Sequence, residues 1–330
     1  MACRAAGLDR LWGHLPRLPA PQRLEVDHDD LRTVLDWLAE NDSGRALVLV
    51  GALGWFWLSH GHLLEGRQRA AQALARSGGG GPTRARALTA AGALTARGGD
   101  ADAGRALLSE GIDLWSDLGD RDELASALDA FGWLLVYDVG DDQGSLDAFE
   151  RCLELRRELA DGPGETRALV GVCQVLVALG DVEQAESLSR DLLDRSDGDP
   201  RTEHFAFHYL ADCALIRGDA EEAGNRYRES LRAALALGDI LETSFEVQGV
   251  AMAAAGTGEP RRALHLAGAV EALWESFGVT FGVRFWDALL ETYIGGAREA
   301  LGAEAEAVWS EGRAMSFEDA VDLALAPSEN

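Results

Sequence analysis

The 330-residue chain contains no lysine; all 30 of its basic residues are arginine. Chemistry that needs a side-chain primary amine is therefore excluded, including Schiff bases and the phosphate-cradling lysine of a P-loop. Positive charge is scarce beside negative: 30 basic residues face 56 acidic ones, a formal net charge of −26. A surface this acidic repels phosphate backbones, so direct nucleic-acid binding is not expected. Cysteine is sparse. Cys3, Cys152, Cys173 and Cys213 show no C-x-x-C spacing, and three of them fall in apolar helical patterns. They read as small buried thiols. Long apolar runs are missing as well. The longest, Ala46–Leu58, has 13 residues, too short for a bilayer and suited to a buried helix. The N-terminal stretch lacks the apolar segment of about 7–15 residues that marks a secretory signal, so a cytoplasmic location is the expectation.

What is present is a repeated phrase. Hydrophobic residues make up 47% of the chain, enough for a core, and they recur at spacings of three and four. Two-residue alternation is rare, which argues against strands. Glycines fall at positions 61, 99, 140, 180, 218 and 258, at intervals of 38, 41, 40, 38 and 40. Each is followed by His62, Asp100, Asp141, Asp181, Asp219 or Glu259. Glycine can end a helix in the left-handed conformation, and an acidic residue after it can cap the next helix. A second set of turns follows about 20 residues later, at Gly119, 161–164, Gly198, Gly238 and Gly278.

Small residues hold fixed places around the glycine. Five residues after it stand Gly66, Gly104, Ser145, Ala185, Ala223 and Ala263; seven before it stand Gly54, Gly92, Cys173, Ala211 and Ala251, with Trp133 the exception. Small side chains at both offsets let two helices cross closely. The pattern predicts an all-α, right-handed superhelix of about six helix pairs with flanking helices.

This grammar resembles the tetratricopeptide repeat (TPR), with a longer period than its usual length of about 34 residues. The longer form resembles the C-terminal regions of large bacterial ATP-dependent transcriptional regulators of the signal-transduction ATPase class. In that comparison "RLEVDHDDLRTVLDWLAEN" (23–41) is similar to their linking helix. "LWESFGVTF" (273–281) and "AVWSEGRAMSFEDAVDLAL" (307–325) are similar to their closing segment. The resemblance implies a tail over 1–22, a linking helix over 23–42, TPR-like repeats over 43–280 and closing helices over 281–330. No Walker A sequence and no basic helix-turn-helix accompany it, so ATPase activity and DNA binding are not carried over. The expectation is a free-standing sensor or scaffold, or a chain separated from such an upstream portion.

Motifs with chemical content read mostly as structure. His204 and His208, in "EHFAFHYLADC", have the i, i+4 spacing of a chelating pair, with Asp212 one turn on. The acidic residue that a metalloprotease helix carries after its first histidine is absent, and interleaved aromatics favour a half-buried or groove-lining role. "DHDD" (27–30) reads as first-turn acids opposing a helix dipole. "SGGGGPTR" (77–84) reads as an inter-repeat turn, and "GWFWLSHGH" (54–62) as core of the first repeat pair or as a hydrophobic anchor. No catalytic motif, metal set or cofactor site is expected.

The first helix of each pair usually lines the binding face of a helical solenoid. Taking the glycine as position 15, positions 2, 5, 9 and 12 give Trp55, Arg86, Tyr137, Arg167, Gln174, Phe205, His208, Asp212, Phe245, Gln248 and Met252. Aromatics offer rigid contact area and arginine a two-point clamp for carboxylates. The expected function is a non-enzymatic binding module for a protein partner or small effector, without a membrane role, in transcriptional or signalling regulation. The alternative is a helical-groove enzyme or substrate-holding protein of a biosynthetic pathway.

Overall fold

The computed structural model describes residues 24–59, 62–78, 80–277 and 283–327, and among them it contains helices and turns without a strand. The tail over 1–22, Cys3, His60, Gly61 and Gly278 lie outside the described residues.

Helix α1 (His28–Asn41) leads into six antiparallel pairs. These are α2 (Ser43–Ser59) with α3 (Leu63–Arg76), α4 (Pro82–Arg97) with α5 (Ala101–Leu118), and α6 (Arg121–Leu134) with α7 (Asp142–Glu158). They continue with α8 (Gly162–Leu179) and α9 (Val182–Asp194), α10 (Pro200–Ile216) and α11 (Ala220–Leu237), and α12 (Ile240–Gly256) and α13 (Pro260–Phe277). Four further α-helices follow among the described residues: α14 (Arg284–Leu290), α15 (Gly296–Leu301), α16 (Ala305–Ala314) and α17 (Phe317–Leu325). The helices form two compact units, one up to Gly171 and one from Val172.

The turn chemistry follows the sequence. Gly140 and Gly218 adopt φ of +75° and +81°, in the left-handed region that glycine enters without a Cβ clash. Asp100, Asp141, Asp181 and Asp219 then accept hydrogen bonds from the backbone N–H of Ala103, Gly144, Gln184 and Glu222. The second turns use the same device at Asp120, Asp199 and Asp239. Each such cap contributes about 1 kcal/mol. At the turn over 161–164 the left-handed place is taken by Ala160, at φ 52°, ahead of the cap Asp161.

The small residues do sit at helix crossings. A Cβ on Gly104 would stand 2.8 Å from the carbonyl oxygen of Gly92, so α4 and α5 touch backbone to backbone there. The exception at Trp133 has a physical cause. Residues Leu135–Val139 form a π-helical turn, which inserts one extra residue before Gly140 and lengthens that repeat to 41. The crossing place therefore shifts back to Gly132, eight residues before the turn. A Cβ there would enter the Phe149 ring at 2.7 Å, and Ser145 Oγ donates to the Gly132 carbonyl at 2.8 Å.

In the first unit the core gathers Leu47, Val50, Leu53, Phe56 and Trp57 of α2 with Ala70, Ala87, Ala91 and Leu94. Trp57 is fully buried, so "GWFWLSHGH" is core at Phe56 and Trp57, while Trp55 is half-buried. Cys152, Cys173 and Cys213 are buried and free, and burial pushes each thiol up to about 12. No described helix is long and apolar enough to cross a membrane.

Candidate functional site

Polar side chains on the first helices of successive pairs meet at an offset of one repeat. In the first unit Arg86 of α4 pairs with Glu123 of α6, 37 residues on, and its guanidinium lies 5.8 Å from the Trp115 ring centre. Arg167 of α8 places Nε 3.5 Å from Oδ2 of Asp129 on α6. Burial raises the Asp129 carboxyl against the pull of Arg167 and Arg156. The two arginines expected to clamp a ligand carboxylate thus already face carboxylates of their own chain. Tyr137 is half-buried, stacks on Trp133 at 5.5 Å and lies under Arg97.

The second unit carries the denser set. Its centre is His208 on α10, whose Nδ1 is 2.7 Å from Oε1 of Glu246 on α12, 38 residues away. Its Nε2 faces Oδ2 of Asp212 at 3.5 Å. Burial alone would lower the imidazole, but Asp212 and Glu246 beside it reverse that and hold it up at about 10. His208 is therefore held as an imidazolium at neutral pH. Burial lifts Asp212 to about 6 against the pull of His208 and of Tyr227, whose hydroxyl donates to Asp212 Oδ1 at 2.6 Å. Burial and Asp212 push the Tyr227 hydroxyl well above its ordinary value.

One turn earlier His204 repeats the arrangement. Its Nε2 is 3.3 Å from Glu242 Oε2, and its Nδ1 meets Ser230 Oγ at 2.8 Å. Burial opposes ionisation of Glu242, yet His204 keeps its carboxyl below the ordinary value. Two residues after Glu246, Gln248 accepts the indole N–H of Trp286 on α14 at 2.6 Å. Asp212 Oδ2 and Glu246 Oε2 are enclosed without a hydrogen-bond donor.

Over this polar floor lies an aromatic layer. Trp286 stacks on His208 at 5.5 Å, and Phe245 stands 6.1 Å from Trp286 and 5.2 Å from Trp274. Phe205 stacks on Tyr209 at 6.3 Å. Phe205, His208, Phe245 and Trp274 are half-buried and reach solvent, whereas Tyr209 and Trp286 are buried.

The expected groove residues therefore divide. Trp55, Arg86, Tyr137, Arg167, Phe205, His208 and Phe245 are half-buried and reach the surface. Gln174, Asp212, Gln248 and Met252 are buried, and their expected exposure needs correction. Gln174, Asp212 and Met252 all hold position 9 and Gln248 holds position 5, and burial there depends on what the neighbouring helix brings over them, as Tyr227 covers Asp212. Gln248 and Gln174 instead serve as buried partners, the latter 3.5 Å from the Tyr209 hydroxyl. Trp286 and Trp274 were not singled out from sequence, because they belong to helices outside the counted positions. The one-repeat offset of Trp286 from Gln248, 38 residues, is the signal that could have found it.

A separate group joins two motifs that are distant in sequence. Glu25, His28 and His62 bring ligand-type atoms within 4.8 Å of one another. Asp27, expected to cap α1, makes no side-chain cap hydrogen bond, although Asp29 and Asp30 do lie in the first turn. His28 is instead buried between Phe56 and His62. Between α11, α12 and α13 a cleft of about 30 Å³, lined by Glu221, Arg228, Val250 and Arg262 among others, has room for little more than a water molecule.

Several solved structures share this architecture. The apo form of the quorum sensor NprR from B. thuringiensis aligns over 96% of this chain and 98% of its own, with a TM-score of 0.58 at 13% identity. A tetratricopeptide repeat protein from Parabacteroides merdae covers 86% of this chain and 100% of its own, with a TM-score of 0.52 at 14% identity. The chain has a TPR-like fold. BtubC from P. vanneervenii is similar to it over 67% of this chain and 94% of its own, with a TM-score of 0.52 at 16% identity. No family model and no curated protein matches the chain. At these identities the likeness concerns the TPR-like backbone, and the residues that act must be argued from the site itself.

Proposed function

We propose that the chain is a non-enzymatic TPR-like binding module whose working face in the second unit is the aromatic layer on α10, α12 and α13. The observation that carries this reading is the half-exposure of Phe205, Phe245 and Trp274 above the rigid His208–Glu246–Asp212 network. Rigid aromatics supply contact area at low entropic cost, and a fixed polar floor supplies orientation. The net charge of −26 favours a partner segment that is basic as well as apolar, drawn in by long-range attraction. A peptide or protein segment meets that description, and so does a small cationic effector. The half-buried Trp55, Arg86, Tyr137 and Arg167 form the corresponding set in the first unit.

In this reading the chain acts in transcriptional or signalling regulation. Support comes from the resemblance of 23–41, 273–281 and 307–325 to the linking and closing segments of ATP-dependent regulators, and from a fold shared with a quorum sensor. The segment boundaries 23–42, 43–280 and 281–330 belong to the same proposal.

The test is native mass spectrometry of the protein purified gently from its own host, as wild type and as F205A and F245A. The proposal expects a bound mass that both substitutions weaken. A bound mass indifferent to both, or a bare protein in which neither substitution alters capture of host components, contradicts it.

A further inference from the structure

We propose that Glu25, His28 and His62 form a binding site for one divalent transition-metal ion of the zinc type, at the junction of α1 with the first repeat pair. The three come from a short helical segment before α1, the first turn of α1 and the residue preceding α3. Chain connectivity does not oblige them to meet, yet their candidate ligand atoms lie within 4.8 Å of one another.

His62 Nε2 lies 3.2 and 3.1 Å from the two Glu25 oxygens. Ligand atoms about 2.0–2.2 Å from a zinc ion stand about 3.3–3.5 Å apart at tetrahedral angles, so this pair already has ligand spacing. His28 completes the set by a small inward movement. Its ring lies 4.2 Å from that of His62, centre to centre. Its Nε2 is buried without a hydrogen bond, on a residue only 6% exposed. The Glu65 carboxylate 3.3 Å from this nitrogen makes no hydrogen bond with it, which leaves the nitrogen's lone pair open to an ion.

The nearest further carboxylate is Glu65, whose Oε2 is 3.3 Å from His28 Nε2. Its oxygens are held by Arg32 at 2.8 Å and Arg69 at 2.9 Å. Glu65 is thus fixed in place and offsets the charge of Arg32 close to the site. Two imidazoles and one carboxylate are a borderline-soft set that suits Zn²⁺, with Cu²⁺ and Ni²⁺ as competitors by intrinsic affinity. Three protein ligands leave a fourth position for water or an incoming group. Partial exposure of Glu25 and His62 gives the ion a way in.

The experiment uses the full chain, stripped with EDTA, dialysed and titrated with Zn²⁺ against a chromogenic chelator; Co²⁺ is then added as a spectroscopic probe. The wild type binds one equivalent and gives the visible bands of low-coordinate cobalt. E25Q and H62A lose affinity by about 10–100-fold or more, whereas H265A, at an exposed His–Glu pair elsewhere, binds as the wild type does. Glu25 and His62 are partly exposed, so their replacement leaves the core intact, which circular dichroism verifies. Absence of stoichiometric binding overturns the proposal. So does binding that E25Q and H62A leave unchanged, because the ion would then sit elsewhere.

Discussion

The indole nitrogen of Trp286 lies 2.6 Å from Oε1 of Gln248, 38 residues earlier in the chain. The interval matches those that join Glu242 to His204 and Glu246 to His208. Helix α14 thus repeats the placement of a first helix, and its tryptophan covers the polar cluster beneath. Replacing Trp286 by Ala removes the ring stacked on His208 and leaves the Gln248 carbonyl unpaired. The expected loss is about 3–5 kcal/mol in urea unfolding. W286F keeps most of the ring and loses only the N–H donor, for about 1–3 kcal/mol.

The cluster also sets a pH dependence. His208 is held near 10 in the fold against an ordinary 6.5. A raised folded value means the folded state holds a proton that the unfolded state releases first. Its contribution is complete below pH 6.5 and disappears as pH rises through about 10. Asp212, raised from 3.8 to about 6, has the same sign: its contribution falls as pH rises across that interval. Urea midpoints of the wild type should therefore fall between pH 6.5 and 10, and H208Q should flatten that fall. A wild-type midpoint that rises through this window contradicts the assignment of His208 as a cation.

Arg167 belongs to its own chain before it belongs to a ligand. R167M leaves Asp129 buried beside an apolar chain and should cost about 3 kcal/mol. In the double variant D129N/R167M the loss should be smaller than the sum of the single losses, as measured by a urea double-mutant cycle.

Gly132 is the crossing residue of the repeat that carries the π-helical turn. G132A forces a methyl group into the Phe149 ring and should destabilise by about 1–3 kcal/mol. An unchanged urea midpoint would show that the crossing is looser than described.

The buried thiols give a chemical readout. With Cys3 replaced by Ser, the remaining Cys152, Cys173 and Cys213 should stay silent toward a thiol reagent in the native protein and react together on unfolding. All three are pushed up to about 12 and lie in helix crossings or cores.

Most of the fold was legible because its determinants are local. A left-handed glycine, an Asp cap and small crossing residues are each set by a few neighbouring positions, so their recurrence marked the helix pairs. The cause of the phase slip at Trp133 was not legible, since nothing in "FGWLLVYDVG" distinguishes a π-helical turn from an ordinary one; the misfit of Trp133 and the interval of 41 were its only traces. The site was half legible. Phe205, His208 and Phe245 reach the surface as the repeat position requires. Asp212 and Met252 do not, because burial at a given position depends on which side chain the neighbouring helix brings over it. The meeting of His28 with His62 was hidden for a similar reason. It joins a helix start to a turn 34 residues later, outside any single repeat.

The most direct test of the binding face is positional photo-crosslinking in the native host. A photoreactive phenylalanine analogue is placed at 245 or 205 in the aromatic layer, or at the exposed Arg232 on α11. The account predicts a discrete adduct from 245 and 205 that is absent from 232 and competed away by the species found in native mass spectrometry. Adducts of equal yield from all three positions, or from 232 alone, would contradict it.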